Sequence, residues 1–388
     1  MVQVTRYHSI GTEINNSMRY FDLLKEAEGD DNDRNLARLN FITDYLKRNP
    51  QTMTQLHKQL KQRERDEKVA AGDTDANDIK AKLNPKVTAP EKDQAPLIKN
   101  FIEAMVQAEG DDDDMIEFVN NYGKVSYVDT KAVRTEGERM SFDSWLSGKG
   151  KVSDSFIRSL FLRLFSKDAY GGPGETAMAL LSPQITRPEG NKGDLVIDGV
   201  NVEVKGEDAK GGGRLKDEGT SISTPNIDPI YKQVIEKNPE IEDQLPPYAR
   251  ISTNSSGSER TTSKGPKFQL LNVAKRIDAV DPKLADDFMK EMLAGSFTKV
   301  ADKYNDLFAN WRSMNFQQMN YAAAKMSYLN YKTELDAKGF DHILLLNRQK
   351  STSLYFNTNN FDDVRELFRL GSVDFGDKIN AAAAQISL

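Results

Sequence analysis

The chain has 388 residues with 38% hydrophobic content, enough to bury a sizeable core in two domains or in one domain with a large insertion. It contains no cysteine, which excludes disulfides, thiolate zinc sites and cysteine nucleophiles, and its three histidines are too scattered to support a His-rich metal site or a Ser/His/Asp triad. The net charge of −6 means that any phosphate-binding surface must be local.

Neither the hydropathy along the chain nor the N-terminal sequence predicts a membrane or secreted protein. No apolar run approaches the length needed to span a bilayer, and the N-terminus lacks the charged-then-apolar pattern of a secretory signal. We therefore expect a cytoplasmic chain. The Asn-, Asp- and Met-rich style would suit a phage protein, which would then act in the host cytoplasm or in the virion.

The first 150 residues are dominated by helical periodicity, with a polar linker around Gly72–Asp93. This pattern predicts a separate helical region over residues 1–150, whose helices offer a surface for protein partners. The predicted helical segments are Ile14–Ala27, Asn35–Lys47, Thr52–Glu67 and Leu97–Ala108.

Two acidic segments in this region resemble each other. Ala27–Asp31 and Ala108–Asp112 have the same sequence, which fits an internal duplication, although coincidence explains two copies equally well. The acidic runs at 30–33 and 111–114 lack the central Gly and the final Glu of a calcium-binding EF-hand loop. Acidic residues at a helix start explain them better.

The segment from Asp194 to Lys205, which reads DLVIDGVNVEVK, holds the strongest candidates for a catalytic site. Asp198-Gly199 is a dipeptide favoured in two-residue hairpin turns, and the flanking runs alternate as strands do. Glu203 and Lys205 are two residues apart, so their side chains project from one face of the second strand, opposite the valines. The hairpin would bring Asp194 back towards the end of that strand.

This cluster suits magnesium chemistry, because magnesium prefers oxygen ligands and a nearby lysine can orient a water or stabilise charge on phosphorus. The same residues also fit an ordinary surface hairpin with solvated ion pairs. Upstream, Glu175 follows a Gly-Gly-Pro-Gly run and begins a short apolar helix. A glutamate in the first turn is also favoured by the helix dipole alone.

The order of a helix-borne Glu, an Asp-led strand and a Glu-x-Lys strand resembles the PD-(D/E)XK nuclease superfamily. The resemblance covers about residues 154–215 and places Asp194 at the metal-binding aspartate, Glu203 at the second acidic position, Lys205 at the catalytic lysine and Glu175 at the acidic residue of the first core helix. One departure is visible, because Gly193 stands where the family name has proline.

The resemblance implies an α/β (α+β) fold of the restriction-endonuclease type, with a mixed sheet flanked by helices. It also implies hydrolysis of nucleic-acid phosphodiesters with Mg2+ or Mn2+. We expect the carboxylates of Glu175, Asp194 and Glu203 to converge within one ion's reach, with the Lys205 ammonium beside them.

The remaining core elements that such a nuclease needs come much later in the chain. We therefore predict a nuclease-like domain over 151–388, with its core at about 154–215 and 313–375 and a helical insertion at about 217–312. The predicted later elements are a helix over Phe316–Leu335, two apolar strands in FDHILLLN and STSLYFN, and a closing helix in FDDVRELFRL.

Two groups of residues are candidates for DNA contact. Lys210, Arg214 and Lys216 lie in a Gly-rich loop that fits backbone phosphate contact and a flexible connector equally well. Gln317 and Tyr321 resemble the Gln-x-x-x-Tyr signature of RecB-like members of the superfamily, although a tyrosine on a helix usually serves packing.

Two classes of function follow. The first is a Mg2+-dependent deoxyribonuclease, in which Asp194 and Glu203 hold the ion, Glu175 helps to hold or orient it, and Lys205 positions the attacking water. The second is a virion structural or assembly protein that carries a nuclease-like fold and acts mainly through protein contacts. The complete set of three acids and one lysine favours the enzyme.

Overall fold

The computed structural model describes eleven stretches of the chain, which form two compact units. The first unit consists of the described residues up to 207 together with His342–Asn357, and the second consists of the described residues within 213–341 and 358–386. The described stretches are 32–70, 96–166, 174–188, 193–207, 213–214, 228–245, 250–253, 259–262, 270–294, 297–369 and 385–386.

Helices make up most of the first unit before its sheet begins. Three of the four N-terminal helices predicted from periodicity are confirmed, while Ile14–Ala27 and the linker Gly72–Asp93 lie outside the described residues. The helices are α1 Asn32–Arg48, α2 Pro50–Ala70, α3 Pro96–Gln107, α4 Asp112–Asn121, α5 Thr130–Val133, α6 Asp154–Phe165 and α7 Glu175–Leu181.

The acidic run at 111–114 begins α4. The Asp111 side chain accepts a hydrogen bond from the Asp114 backbone N–H, and the Asp114 side chain accepts one from the Asp111 backbone N–H, which together form a capping box. Asp114 also accepts from the Ser153 backbone N–H at 2.6 Å. The run therefore has a structural role, as expected. The matching segment at Ala27–Asp31 lies outside the described residues.

A six-stranded mixed sheet forms the rest of the first unit, in the order β1-β9-β8-β4-β3-β2. The central pair, β4 and β8, is parallel, and the other neighbours are antiparallel. Strands β8 and β9 are the two late apolar strands predicted from the sequence, so a mixed sheet completed by late strands is confirmed. The strands are β1 Arg139–Ser141, β2 Ile185–Thr186, β3 Leu195–Ile197, β4 Val200–Glu207, β8 His342–Asn347 and β9 Thr352–Asn357.

The hairpin between β3 and β4 has the predicted two-residue turn. Ile197 pairs with Val200, and the intervening Asp198 and Gly199 have φ angles of 50° and 80°. Positive φ at both central residues is the requirement of a type I′ turn, which Asp-Gly meets with little strain. The local sequence therefore fixes the register that carries Asp194 towards the far end of β4.

One hydrophobic cluster joins the N-terminal helices to the sheet. It contains Phe101 of α3, Phe118 of α4 and Phe156 of α6 together with Leu195 and Leu344 of the sheet. The sequence predicts a domain boundary near residue 150, but the helices before that residue and the sheet after it belong to one unit. The physical reason is that the apolar faces of the early helices are buried on the same core as the strands.

The second unit has its own core, which includes Phe288, Phe308, Trp311 and Met319. The predicted helices near Pro282–Leu293 and Phe316–Leu335 are confirmed as α10 and α12, but α12 belongs to this unit, whereas we expected it in the nuclease core. The helices are α8 Asp228–Lys237, α9 Leu270–Val280, α10 Pro282–Ala294, α11 Tyr304–Phe308, α12 Phe316–Lys338 and α13 Phe361–Val364.

The predicted closing helix in FDDVRELFRL is wrong beyond its first turn. Helix α13 is followed by a 3-10 turn, Arg365–Leu367, and then by a short strand, β10, at Phe368–Arg369. The backbone of β10 pairs with β11, Gln385–Ile386, and strand pairing of Phe368 replaces the helical hydrogen bonds. The other short strands are β5 Gly213–Arg214, β6 Arg250–Thr253 and β7 Glu259–Thr262.

Among the helices in the described stretches, none is both long and apolar enough to cross a membrane.

Candidate active site

Asp194 is fixed beside β4 by two hydrogen bonds. Its backbone N–H donates to the Val202 carbonyl at 2.9 Å, and its side-chain Oδ2 accepts from the Val204 N–H at 2.8 Å. The hairpin therefore brings Asp194 back onto the second strand, as the sequence predicts. A carboxylate held by the backbone has a defined orientation even before any ligand binds.

Gly193 explains why this chain lacks the proline of the family name. Its φ angle is 96°, and a Cβ placed on it would lie 3.0 Å from the Val202 carbonyl oxygen. Proline is locked near a φ of about −65° and cannot adopt this backbone. The glycine is thus required by the close approach of the two strands, and the departure leaves Asp194 well placed.

Glu203 and Lys205 lie on one face of β4, as predicted. The Lys205 Nζ is 2.5 Å from Glu203 Oε1, and the side chains are 18% and 11% exposed, respectively. Val202 and Val204 on the opposite face are buried in the core. The alternation of the strand therefore turns the charged pair away from the core while the sheet holds it in place.

Glu175 is the first residue of α7 and is buried with the rest of that helix. The preceding Gly174 has a φ of 90°, and a Cβ there would lie 2.5 Å from side-chain atoms of both Leu346 and Phe165. Only glycine lets the chain enter the helix so close to β8 and α6. Gly174 thus allows Glu175 to lie against the sheet.

Arg187 connects these elements, and sequence reasoning missed it. Its Nη1 lies 2.6 Å from both Glu175 Oε2 and the Asp194 backbone oxygen. Its Nε donates to Glu67 Oε1 of α2 at 2.8 Å, and its Nη2 donates to Glu67 Oε2. Thr176 Oγ1 donates to the same Glu67 carboxylate at 3.1 Å.

No local signal in the sequence singles out Arg187 or Glu67. Glu67 lies in a charged stretch of α2 beside Glu64 and Asp66, and Arg187 follows a two-residue strand. The two partners are 120 residues apart, and each is buried because the other neutralises it. Such a pair becomes visible only when the fold brings its members together.

The cluster carries an excess of negative charge. Four carboxyl groups face two cationic groups, so two negative charges stay uncompensated when all six groups are ionised. Burial, with the charges of Glu175 and Glu203, raises the pKa of Asp194 to about 8. Burial acts to lower the pKa of Lys205, but the negative charges of Glu203 and Asp194 outweigh it and raise that pKa, so Lys205 stays a cation.

The raised pKa of Asp194 predicts a pH dependence of stability. The pKa rises from 3.8 to about 8, so the folded chain holds a proton that the unfolded chain releases, and this stabilisation is lost as the pH rises through that window. In EDTA, we expect the free energy of unfolding of the parent to fall relative to that of Asp194→Asn between pH 5 and pH 8. Urea titrations at four pH values measure the difference. Parallel pH profiles of parent and variant would contradict the assignment.

The residues fit a hydrated divalent cation better than a fully protein-enclosed one. Within the stretches that the structure describes, no three His, Asp or Glu side chains are placed to hold a metal ion together, so the expected convergence of Glu175, Asp194 and Glu203 on one ion is wrong. Magnesium typically needs only one or two carboxylates, with waters and phosphate oxygens filling its other positions. Asp194 and Glu203, in a site where carboxyl groups outnumber cationic groups, meet that need.

The predicted DNA-contact residues are only partly described. Lys210 and Lys216 lie outside the described residues, and Arg214 is described only as part of the backbone of β5. Gln317 and Tyr321 are exposed on α12 of the second unit. These residues therefore stay predictions.

Tyr321 has a packing role as well. Its ring lies edge-on to Phe361 with 5.4 Å between centroids, and its hydroxyl lies 3.2 Å from Asp362 Oδ1. These contacts explain why a tyrosine suits this position without DNA. The Gln-x-x-x-Tyr spacing by itself therefore does not indicate DNA contact, because packing also explains the tyrosine.

A cleft of about 770 Å³ in the first unit supplies basic groups that the sequence did not point to. Its charged lining consists of three arginines and three acids: Arg158, Arg163, Arg348, Glu109, Asp143 and Asp154. Arg158 pairs with Asp143 at 3.1 Å, while Arg163 donates to the neutral Gln107 side chain at 3.3 Å. Arg348 is exposed at the end of β8.

Comparison with known proteins adds no relative: no protein-family model, no curated protein and no solved structure matches the chain.

Proposed function

We propose that the chain is a metal-dependent nuclease that hydrolyses phosphodiester bonds of DNA. The observation that carries this proposal is the grouping of Glu175, Asp194, Glu203 and Lys205 on rigid elements of one unit. Asp194 interacts electrostatically with all three of the others. An ordinary surface hairpin does not account for acidic side chains that are buried together with unbalanced charge.

Each residue has a role that its surroundings support. Asp194 and Glu203 would hold Mg2+ or Mn2+, which supplies Lewis acidity to the scissile phosphate and its attacking water. Lys205 stays protonated beside Glu203 and is suited to orient that water or to stabilise charge on the phosphate oxygens. Glu175 contributes negative charge to the site and is held by Arg187.

The fold agrees with this proposal at the level of architecture. The site lies on a mixed sheet whose central parallel pair, β4 and β8, is joined in sequence through the second unit. A glutamate at the start of a helix, followed by an antiparallel hairpin with the Asp and the Glu-x-Lys, is the order of elements that the PD-(D/E)XK resemblance implies. We propose a restriction-endonuclease-like core on that basis.

Arg348, at the edge of the cleft, is a candidate for contact with the DNA backbone. Guanidinium groups bind phosphates with two parallel hydrogen bonds, and Arg348 is exposed to make them. The salt dependence of binding would reflect how many phosphates such residues contact.

The test is a cleavage assay with the purified full chain. Supercoiled, linear and single-stranded DNA are incubated with Mg2+, Mn2+ or EDTA, for the parent, for Asp194→Asn and for Asp198→Asn. Asp198 is an exposed turn acid of the same hairpin and serves as the matched control. We expect metal-dependent cleavage by the parent and Asp198→Asn and none by Asp194→Asn. Absence of cleavage by the parent on every substrate, or equal cleavage by Asp194→Asn, would rule out the proposed catalytic site.

A virion structural or assembly role is the second candidate. The observation that favours it is the second unit, which has a separate hydrophobic core and contributes none of the four site residues. A parent chain that binds neither metal nor DNA but assembles with other particle proteins would support this candidate over the enzyme.

A further inference from the structure

We propose that Arg187, anchored by Glu67 of the N-terminal helices, keeps Glu175 out of the metal's coordination, so that Asp194 and Glu203 alone hold the ion. This inference rests on the metal site of the proposed nuclease and makes Arg187 a positioning residue. It also gives the N-terminal helical region a role in the active site.

Arg187 engages Glu175 directly. The Nη1 atom is 2.6 Å from Glu175 Oε2, and the two side chains are 5% and 8% exposed, respectively. A charge-assisted hydrogen bond at this distance in a dry environment is strong. A metal ion could recruit this carboxylate oxygen only by displacing the guanidinium group.

Glu67 holds the guanidinium group in place. Its two oxygens accept from Nε and Nη2 of Arg187, which is the two-pronged geometry that a carboxylate and an arginine favour. Thr176 donates to the same carboxylate and so fixes Glu67 from the side of α7. Arg187 thus cannot turn away from Glu175 without breaking a buried ion pair.

Helix α2 is tied to this part of the first unit at a second point. The Arg63 guanidinium donates to the backbone oxygens of Ser182 and Ile185, both at 2.9 Å. Arg63 touches the ends of α7 and β2 but makes none of the contacts with the acidic cluster. A substitution of Arg63 therefore weakens the docking of α2 without removing a contact of Arg187.

Excluding Glu175 sets the number of carboxylates that coordinate the metal ion at two. Two carboxylates leave several coordination positions for water and phosphate oxygens, whereas a third carboxylate would occupy one of them and add negative charge. Metal affinity generally rises with the charge of the ligands. Releasing Glu175 should therefore tighten metal binding and at the same time slow turnover.

The experiment measures Mn2+ binding without DNA, from the electron paramagnetic resonance signal of free Mn2+. The key variant is Arg187→Met with Glu67→Gln, which removes one positive and one negative charge and so leaves the net charge of the cluster unchanged. We expect it to bind Mn2+ about tenfold more tightly than the parent. Adding Glu175→Gln should abolish that gain, because Glu175 is the ligand released.

Two controls address structural effects. Glu64→Gln removes a buried carboxylate of α2 that pairs with Lys61 at 3.1 Å, and Arg63→Met loosens the docking of α2. Both should leave Mn2+ affinity unchanged in folded protein, as judged by circular dichroism. A second charge-matched variant, Arg187→Gln with Glu67→Gln, keeps polar side chains at both positions and should show the same gain in affinity if the methionine variant does not fold.

The outcomes separate this inference from the proposed function. A parent that binds Mn2+ but does not cleave DNA contradicts the function alone. Unchanged or weaker Mn2+ binding by the folded charge-matched variant overturns the inference alone, as does an equal gain that survives Glu175→Gln. A parent that binds no Mn2+ at millimolar concentration would contradict both the proposed function and the inference about Arg187.

Discussion

Replacing Lys205 with methionine is expected to lower the turnover number for DNA cleavage by about a hundred- to a thousandfold, the usual effect of losing one preorganised donor. The Lys205 ammonium is 2.5 Å from Glu203 Oε1, and its raised pKa keeps it charged. Methionine retains the length and apolar stem of the side chain but cannot stabilise charge on a phosphate or orient a water. Single-turnover nicking of supercoiled DNA at saturating Mg2+ measures the effect.

One control variant and one metal-binding measurement make this result specific. Lys131→Met removes an exposed lysine of α5 and should cleave DNA at the parental rate. Because the Lys205 ammonium offsets part of the negative charge around Asp194, Lys205→Met should still bind Mn2+. Retained metal binding with lost turnover would assign Lys205 to the chemical step. A turnover number near that of the parent would show that the lysine serves only to neutralise Glu203.

The hairpin that carries the site could be predicted because its information is local. Asp198-Gly199 specifies the turn, the alternating valines specify the buried face, and the register then places Asp194 and Lys205. The late strands β8 and β9 were also predictable, since short apolar runs such as ILLL between polar residues are typical of buried strands. The hairpin, the late strands and the placement of Asp194, Glu203 and Lys205 therefore followed from neighbours in sequence.

What the sequence did not predict depends on contacts between distant segments. Amphipathic periodicity shows that α3 and α4 have apolar faces, but it does not show that these faces share a core with the strands. The burial of Glu67 depends on Arg187, and the position of Glu175 depends on both. The same limit applies to Gly193, whose positive φ became a requirement only once β3 and β4 were paired.

Replacing Arg187 with methionine alone is expected to lower the free energy of unfolding by about 3–5 kcal/mol, because breaking a buried pair leaves uncompensated charge in a dry site. The Arg187, Glu67 and Glu175 side chains are 5%, 2% and 8% exposed. Urea denaturation at pH 7 in EDTA measures the change. In a Trp311→Phe background only Trp145 fluoresces as tryptophan, so the signal reports on the first unit.

The control is an ion pair of the same unit at the surface. Arg134 lies 3.5 Å from Asp198, with both side chains about one-third exposed, and Arg134→Met should cost less than about 1 kcal/mol. The charge-matched Arg187→Met with Glu67→Gln should recover part of the stability, because Glu67 then no longer leaves an uncompensated buried charge. If Arg187→Met lowered the free energy of unfolding no more than Arg134→Met does, the result would contradict the view that the buried ion pairs hold α2 against the site. A large loss that Glu67→Gln partly relieves would show that one arginine stabilises both the N-terminal helices and the hairpin that carries Asp194.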